Sequence, residues 1–314
     1  MQTHAQNQIT SRRPHRNVTV AIVLLPLLGA VVAFALAFRD GVSKLNVTLL
    51  ASMYVISLTG LTMGFHRLFT HNSFKAHPVL RGALAIFGSM AAQGPVIRWV
   101  AHHRRHHAGS DTEKDLHSPH ARPSKRRSVW HAHVGWLFDE HPVQARRYAP
   151  DLLADGLVRG VDRWYVVWLS LSLLIPLGIG AVATREVSGA LTAMLWGGFV
   201  RIFAVHQVTW CVNSVCHLLG GRPFASRDQS ANNFVIGVLA LGEGWHNNHH
   251  AFPTAASHGF AWWQIDFTAY VIRACARLRW VRDVKQPTAK QLAARSVRKP
   301  HRAIFEHSAA TTEG

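Results

Sequence analysis

Only three cysteines, Cys211, Cys216 and Cys275, occur in 314 residues, and no two of them form a Cys-x-x-Cys pair. That excludes a disulfide framework and reads as reduced thiols facing a cytosolic compartment. Acidic residues are also scarce: 16 Asp and Glu stand against 34 Lys and Arg, a net charge of +18. No Gly-rich dinucleotide fingerprint appears, so nothing marks a nicotinamide or flavin fold. No repeat of 20–50 residues appears either, which excludes solenoids and propellers.

Histidine is abundant, with 22 copies, and there are 11 tryptophans. Long apolar blocks alternate with very basic ones. A soluble chain this basic would suit nucleic acid, but the apolar blocks make an anionic membrane surface the better partner, and no nucleic acid is expected. Residues 19–38 are almost wholly apolar, about the length that spans a bilayer. The block is long for a signal peptide and no clear A-x-A site follows it. Further spans are expected at about 47–65, 164–183 and 191–210, the last two separated only by Thr184, Arg185 and Glu186. Segment 79–97 contains Arg81, Gln93, Gly94 and Pro95 and reads as one interfacial or re-entrant helix.

The expected fold is therefore an all-α integral membrane protein. Four transmembrane helices in two hairpins would carry a cytoplasmic cap holding a dinuclear metal site. A basic cytoplasmic N-terminus (1–18) precedes the main domain (19–284), and a basic tail (285–314) follows it, read as an amphipathic helix fading into disorder. Both termini and segment 66–163 share the Arg/Lys-rich side, which the positive-inside rule makes cytoplasmic.

The histidines are patterned. HRRHH supplies His103, His106 and His107, and the same spacing recurs about 140 residues later at His246, His249 and His250. On a helix, residues three and four apart share a face. His66 and His71, in HRLFTH, lie where the second span ends, and Asn213 and His217 where the fourth does. Five apart, His66 and His71 differ by about 140° around an ideal helix, so they share a metal only if the helix ends or deforms. Nine imidazoles exceed one ion. Two ions with four or five nitrogens each fit the count, and Asn213 could hold a water. Imidazole suits iron, zinc, copper or nickel. His102 shares a face with His106 and could by geometry replace His103, although only the 103-106-107 frame matches the second box. His117, His120, His131 and His133 are expected in a polar loop, backing the ligands or on the surface, and the single His77, His141 and His258 as interfacial anchors.

These residues resemble the membrane fatty acyl desaturases of the stearoyl-CoA desaturase type, from about His66 to Asp283. The three boxes HRLFTH, HRRHH and HNNHH carry the resemblance, with NSVCH, HVGWLF (133–138), GRPF (221–224) and GEGWHNNHHAFP. It implies a non-haem centre of two Fe ions that desaturates a saturated long-chain acyl group with O₂, typically at carbons 9 and 10. The ligands it implies are His66, His71, His103, His106, His107, His217, His246, His249 and His250, with Asn213 through water. Gln93, Trp99, Thr209 and Trp210 match positions lining the bend of the family's acyl tunnel. The animal enzymes carry an Arg-Asp pair, implicated in holding coenzyme A, where this chain has Ala101 and His102. The carrier is thus open between CoA thioester, membrane lipid and carrier protein, with Arg104, Arg105 and the Lys125–Arg127 cluster available for phosphates or anionic lipid. No fused cytochrome b5-like or flavin domain is visible, so a separate electron donor (cytochrome b5-like, ferredoxin or reductase) is expected. Two rivals remain: a histidine-box hydroxylase or ketolase, and a membrane metal transporter or metal-binding protein. The second would need ionisable residues within the spans, for which His206 and Arg201 are the candidates.

Overall fold

The computed structural model describes residues 12–120, 125–139 and 142–297. His141, Arg122 and the part of the tail beyond 297 lie outside these. The described chain is mostly helical, and four helices are long and apolar enough to cross a membrane: Arg16–Asp40, Lys44–Thr70, Tyr165–Thr184 and Val187–His217. Their outward surfaces are apolar, as with the exposed Leu28, Val31 and Val182.

The first span packs chiefly on the fourth, where Phe34 meets Trp196 edge-on at 5.3 Å and Gly29 lets Phe199 lie against the backbone. The third and fourth run beside each other after a tight turn in which Arg185 takes a left-handed φ of 58°. Both the second and fourth spans reach further than hydropathy suggests, because each continues into the polar residues that carry His66 and His217.

The second span widens into a π-helix over Gly60–Thr70. His71 N donates to His66 O at 3.2 Å, an i→i+5 bond. Such widening is concentrated at functional sites. Here it brings the two imidazoles, misaligned on an α-helix, to a ring separation of 4.9 Å. Glycines 60 and 64 make room for it, since a Cβ on either would run into helix Pro78–Ser89.

The expected single interfacial helix over 79–97 is instead two helices, Pro78–Ser89 and Val96–Gly109. Gly94 at φ 98° and Ala92 at φ 60° turn the chain, and Pro95 then starts the second helix. Proline cannot continue a helix from its amide but suits the start of one. A short antiparallel pair, Lys75–Ala76 with Val281–Arg282, ties the later chain back to the end of the second span. In the tail, helix Ala289–Arg295 begins with a capping box between Thr288 and Gln291.

Candidate metal centre

Nine imidazoles from four segments converge into two groups. His66, His71, His103, His107 and His249 form one, and His106, His217, His246 and His250 the other; within each group the candidate ligand nitrogens lie within 4.8 Å of one another. Each His-x-x-His-His box is split between them. On helix Val96–Gly109, His103 and His107, four apart, face the first group and His106 the second. On helix His246–Ala251 the i,i+4 pair His246 and His250 joins the second group and His249 the first.

The nitrogens suit metal rather than one another. The Nε2 atoms of His66 and His249 are 3.0 Å apart, those of His107 and His249 2.9 Å, and those of His217 and His246 3.0 Å. Metal–imidazole bonds of about 2.0–2.1 Å put adjacent octahedral ligand nitrogens roughly 3 Å apart. Two further nitrogens, His71 Nε2 and His250 Nε2, are buried with no hydrogen-bond partner. A buried polar atom without a partner is costly and calls for a ligand.

Four carboxylates fix the imidazoles from behind. His66 Nδ1 meets Glu243 Oε2 at 2.5 Å, His106 Nδ1 meets Asp115 Oδ1 at 2.9 Å, His217 Nδ1 meets Asp111 Oδ2 at 2.9 Å, and His250 Nδ1 meets Asp228 Oδ2 at 2.6 Å. Each Nδ1–H donates to an anion, which leaves Nε2 as a lone pair aimed into its group. Three of these carboxylates serve the four-histidine group and one the five-histidine group.

Burial alone would raise the Asp111 carboxyl, but hydrogen bonds from His217 and the Gln229 amide outweigh it and hold it at about 2. Asp115, Asp228 and Glu243 are likewise held well below the usual carboxylate range against burial, by the imidazoles they face and, for Glu243, also by Arg67. Burial and then the crowding of neighbouring imidazoles push His71, His103, His107, His246 and His249 well down, so they stay neutral and able to ligate. His250 falls to about 4 through burial, in spite of Asp228. His106 behaves differently: burial lowers it, but Asp115 more than compensates and raises it.

The carboxylates carry no histidine spacing, although their positions hinted at the role. Acids are rare here, and Asp111, Asp115 and Glu243 all lie within nine residues of a histidine box.

His258, expected as an interfacial anchor, is fully buried in the site. Its Nδ1 lies 3.4 Å from Glu243 and its ring 4.5 Å from that of His249. His117 is also buried, its ring tilted against that of His106 with centroids 4.4 Å apart. The loop carrying it closes over the centre, and His120 Nε2 donates to His217 O at 2.9 Å. His133 bonds Ser214 and Gln207 of the fourth span, and His131 Nε2 donates to Leu116 O. His77, exposed, caps helix Pro78–Ser89.

Arg104 is not available for phosphate. It is bound to Asp151 and to the carbonyls of Phe69, Thr70 and Tyr148, and so locks the histidine helix to the end of the second span. Arg126 and Arg127 are exposed on helix Lys125–His133.

A largely apolar cavity opens beside the five-histidine group, and Gln93, Trp99, Thr209, Trp210 and Asn213 all line it. Gln93 Nε2 donates to Thr209 Oγ1 at 2.5 Å and Trp99 Nε1 donates to Gln93 Oε1 at 3.2 Å. Trp99 in turn stacks on His103, with centroids 4.9 Å apart and planes at 22°. His102 also lines the cavity but belongs to neither histidine group.

Comparison with known proteins agrees with this arrangement. Residues 43–285 match the family model described as fatty acid desaturase. The chain is 41% identical over 280 residues to the hex-5-enoyl-[acyl-carrier protein] acetylenase of Moorena producens (strain JHB), covering 87% of each. It is 36% identical to the icosanoyl-CoA 5-desaturase of Limnanthes douglasii over 88% of this chain and 74% of that one. It is 34% identical to the sn-1 stearoyl-lipid 9-desaturase of Anabaena variabilis over 90% of this chain and 98% of that one. With four candidate membrane spans, histidines gathered into groups able to hold a metal beside an apolar cavity, and such relatives along most of its length, the chain belongs to the fatty acid desaturase family.

Proposed function

We propose that this enzyme introduces a double bond at the delta-9 position of a saturated long-chain acyl group, using O₂ at a centre of two iron ions. The observation that carries this reading is the division of nine imidazoles into groups of five and four beside an apolar cavity. In the balanced reaction two hydrogens leave the chain, and O₂, with two electrons and two protons from a donor, becomes two waters. Bound iron supplies the oxygen activation and one-electron chemistry that no side-chain acid or base offers for an unactivated C–H bond.

The chain's own residues do the rest. His66, His71, His103, His107 and His249 would hold one ion, and His106, His217, His246 and His250 the other, with Asn213 placing a water. The carboxylates keep the protons on Nδ1. Gln93, Trp99, Thr209 and Trp210 bound the acyl chain, exclude water and fix which carbons reach the centre, so that positioning sets the outcome. The delta-9 position rests on the resemblance and on a relative named as a 9-desaturase.

The relatives' names include a CoA, a lipid and a carrier-protein substrate, and all three carriers are candidates here. The charge asymmetry supports two hairpins with both termini and the metal centre on the cytoplasmic side. A separate electron donor would dock on that basic face.

The test is expression in a host of known lipid composition, followed by locating new unsaturation by mass spectrometry. A double bond between carbons 9 and 10 is expected. A hydroxylated product without new unsaturation would overturn the reading. Because one relative is named an acetylenase, monounsaturated chains belong in the assay, and a triple bond as the sole product would move the reaction one step on.

A further inference from the structure

Arg201 lies within the fourth span, fully buried, and among the described residues no carboxylate pairs with it. A cationic residue in a span is costly to insert, and such residues persist where they do something. This one donates three hydrogen bonds to backbone carbonyls: Nε to Gly197 O at 3.2 Å, one terminal nitrogen to Met90 O at 2.6 Å and the other to Ser172 O at 3.1 Å. One turn further along the span, His206 Nε2 donates to the carbonyls of Ala91 and Ala92, at 3.1 and 3.2 Å. Carbonyls 90, 91 and 92 follow the end of helix Pro78–Ser89, where helix geometry leaves acceptors without partners and the helix dipole is negative. The fourth span thus supplies donors to three consecutive carbonyls of the turn between the two helices.

The next residue of that turn is Gln93. Its amide joins Thr209, on the same span as Arg201, to Trp99, which stacks on His103. Arg201 and Thr209 are eight residues apart on one rigid helix, about 12 Å. One helix therefore holds both the backbone of the turn and the side chain that the turn presents to the cavity. Arg201 does not line the cavity. It acts on the acyl chain only through the turn.

We infer that Arg201, helped by His206, is a positioning residue for regiospecificity: it clamps the 90–92 turn so that Gln93 and Trp99 hold the acyl chain in one register against the histidine groups. The inference rests on the desaturase reading above. An Arg201→Lys chain keeps the charge but has one nitrogen to offer three carbonyls.

The test compares full-length wild type and variants in the same host. It reads the positional isomers of the product, the iron bound per chain and the total conversion. Arg201→Lys is expected to bind iron as wild type does and to yield a second isomer, displaced by one or two carbons, as a tenth or more of the product. A reduced amount of one unchanged isomer would make Arg201 merely structural and overturn the inference.

If that variant fails to accumulate, His206→Leu and His206→Gln carry the test. Both alter the cavity wall, but only Gln restores a donor to the carbonyls. Mixed isomers from Leu and a single isomer from Gln support the clamp, and the same outcome from both overturns it. If wild type itself forms no unsaturated product, the desaturase reading fails rather than this inference.

Discussion

Asp228→Asn should damage metal binding more than its conservative character suggests. Asp228 Oδ2 accepts from His250 Nδ1 at 2.6 Å, while Oδ1 accepts from the Ser230 amide at 3.0 Å and from its hydroxyl. An asparagine that keeps its oxygen on Ser230 must aim its N–H at His250 Nδ1. That nitrogen then has to accept, so the imidazole carries its proton on Nε2, the buried nitrogen without a partner that faces the four-histidine group. The alternative amide flip sets an N–H against the two Ser230 donors. Removing the outer partner of a ligating histidine costs about 10–100-fold in metal affinity. With the wrong tautomer enforced, the loss belongs at the upper end, about 2.8 kcal/mol. Asp228→Ala leaves space for a water that can accept from Nδ1, so it should be no worse than asparagine. The assay is metal content of purified protein across a chelator series. Wild type should hold two ions at a chelator concentration where Asp228→Asn holds one. Equal retention by wild type and Asp228→Asn, or a clearly greater loss in Asp228→Ala, would refute the tautomer argument.

His106→Ala and His249→Ala each remove one member of a different group and should abolish turnover while the protein stays in the membrane fraction; activity in both would break the ligand assignment. His102→Ala, at a residue outside both groups, should leave most turnover in place, and a loss as complete as that of His106→Ala would put His102 among the ligands. Arg67 is buried between Glu243 and Asp266; Arg67→Met strands two buried acids at a cost of about 3–5 kcal/mol, so Tm in detergent should fall by roughly 6 °C or more. Stripping the metal should also lower Tm, because an ion bound only by the folded chain stabilises it; unchanged melting after demonstrated metal loss would mean that the ions do not bind at the histidine groups.

The four apolar helices and the clustering of the nine histidines were legible because both are periodic: length and hydropathy mark the spans, and three- and four-residue spacings mark a shared helical face. The split of each box between two groups was not legible: residues three and four apart both share a face, and only the fold sends the four-apart pair to one group and the intervening histidine to the other. What escaped was set by tertiary contact. His258 stands alone in the sequence between Ser257 and Gly259, and only the fold brings it to Glu243. The break at Gly94-Pro95 was visible as composition, yet reading it as a feature within one helix missed that it starts the helix bearing His103. Arg104 looked like a phosphate ligand because nothing local reveals that Asp151 and three carbonyls take up its donors. The π-helix was legible only as a requirement: the angle between His66 and His71 demanded a deformation without saying which.

The scarce acids explain how such a basic chain can hold cations at its centre. Two divalent ions among neutral imidazoles would place four positive charges in a buried cage, and desolvated charge of that size needs compensation. Asp111, Asp115, Asp228 and Glu243, each held to an imidazole of the centre, supply four negative charges. Arg67 and Asp266, 3.0 Å apart, cancel each other. Around the histidines, these four charges match what the proposed pair of divalent ions would require. Its distribution is uneven, because three of the four acids back the histidines of one group. An ion held by His106, His217, His246 and His250 would sit in the more negative field and should bind the more tightly. On stepwise chelation the five-histidine group should empty first despite its extra ligand, a sequence that site-selective spectroscopy of His249→Ala and His106→Ala can read. Release in the opposite order would mean that ligand number, not the outer charge, governs affinity here.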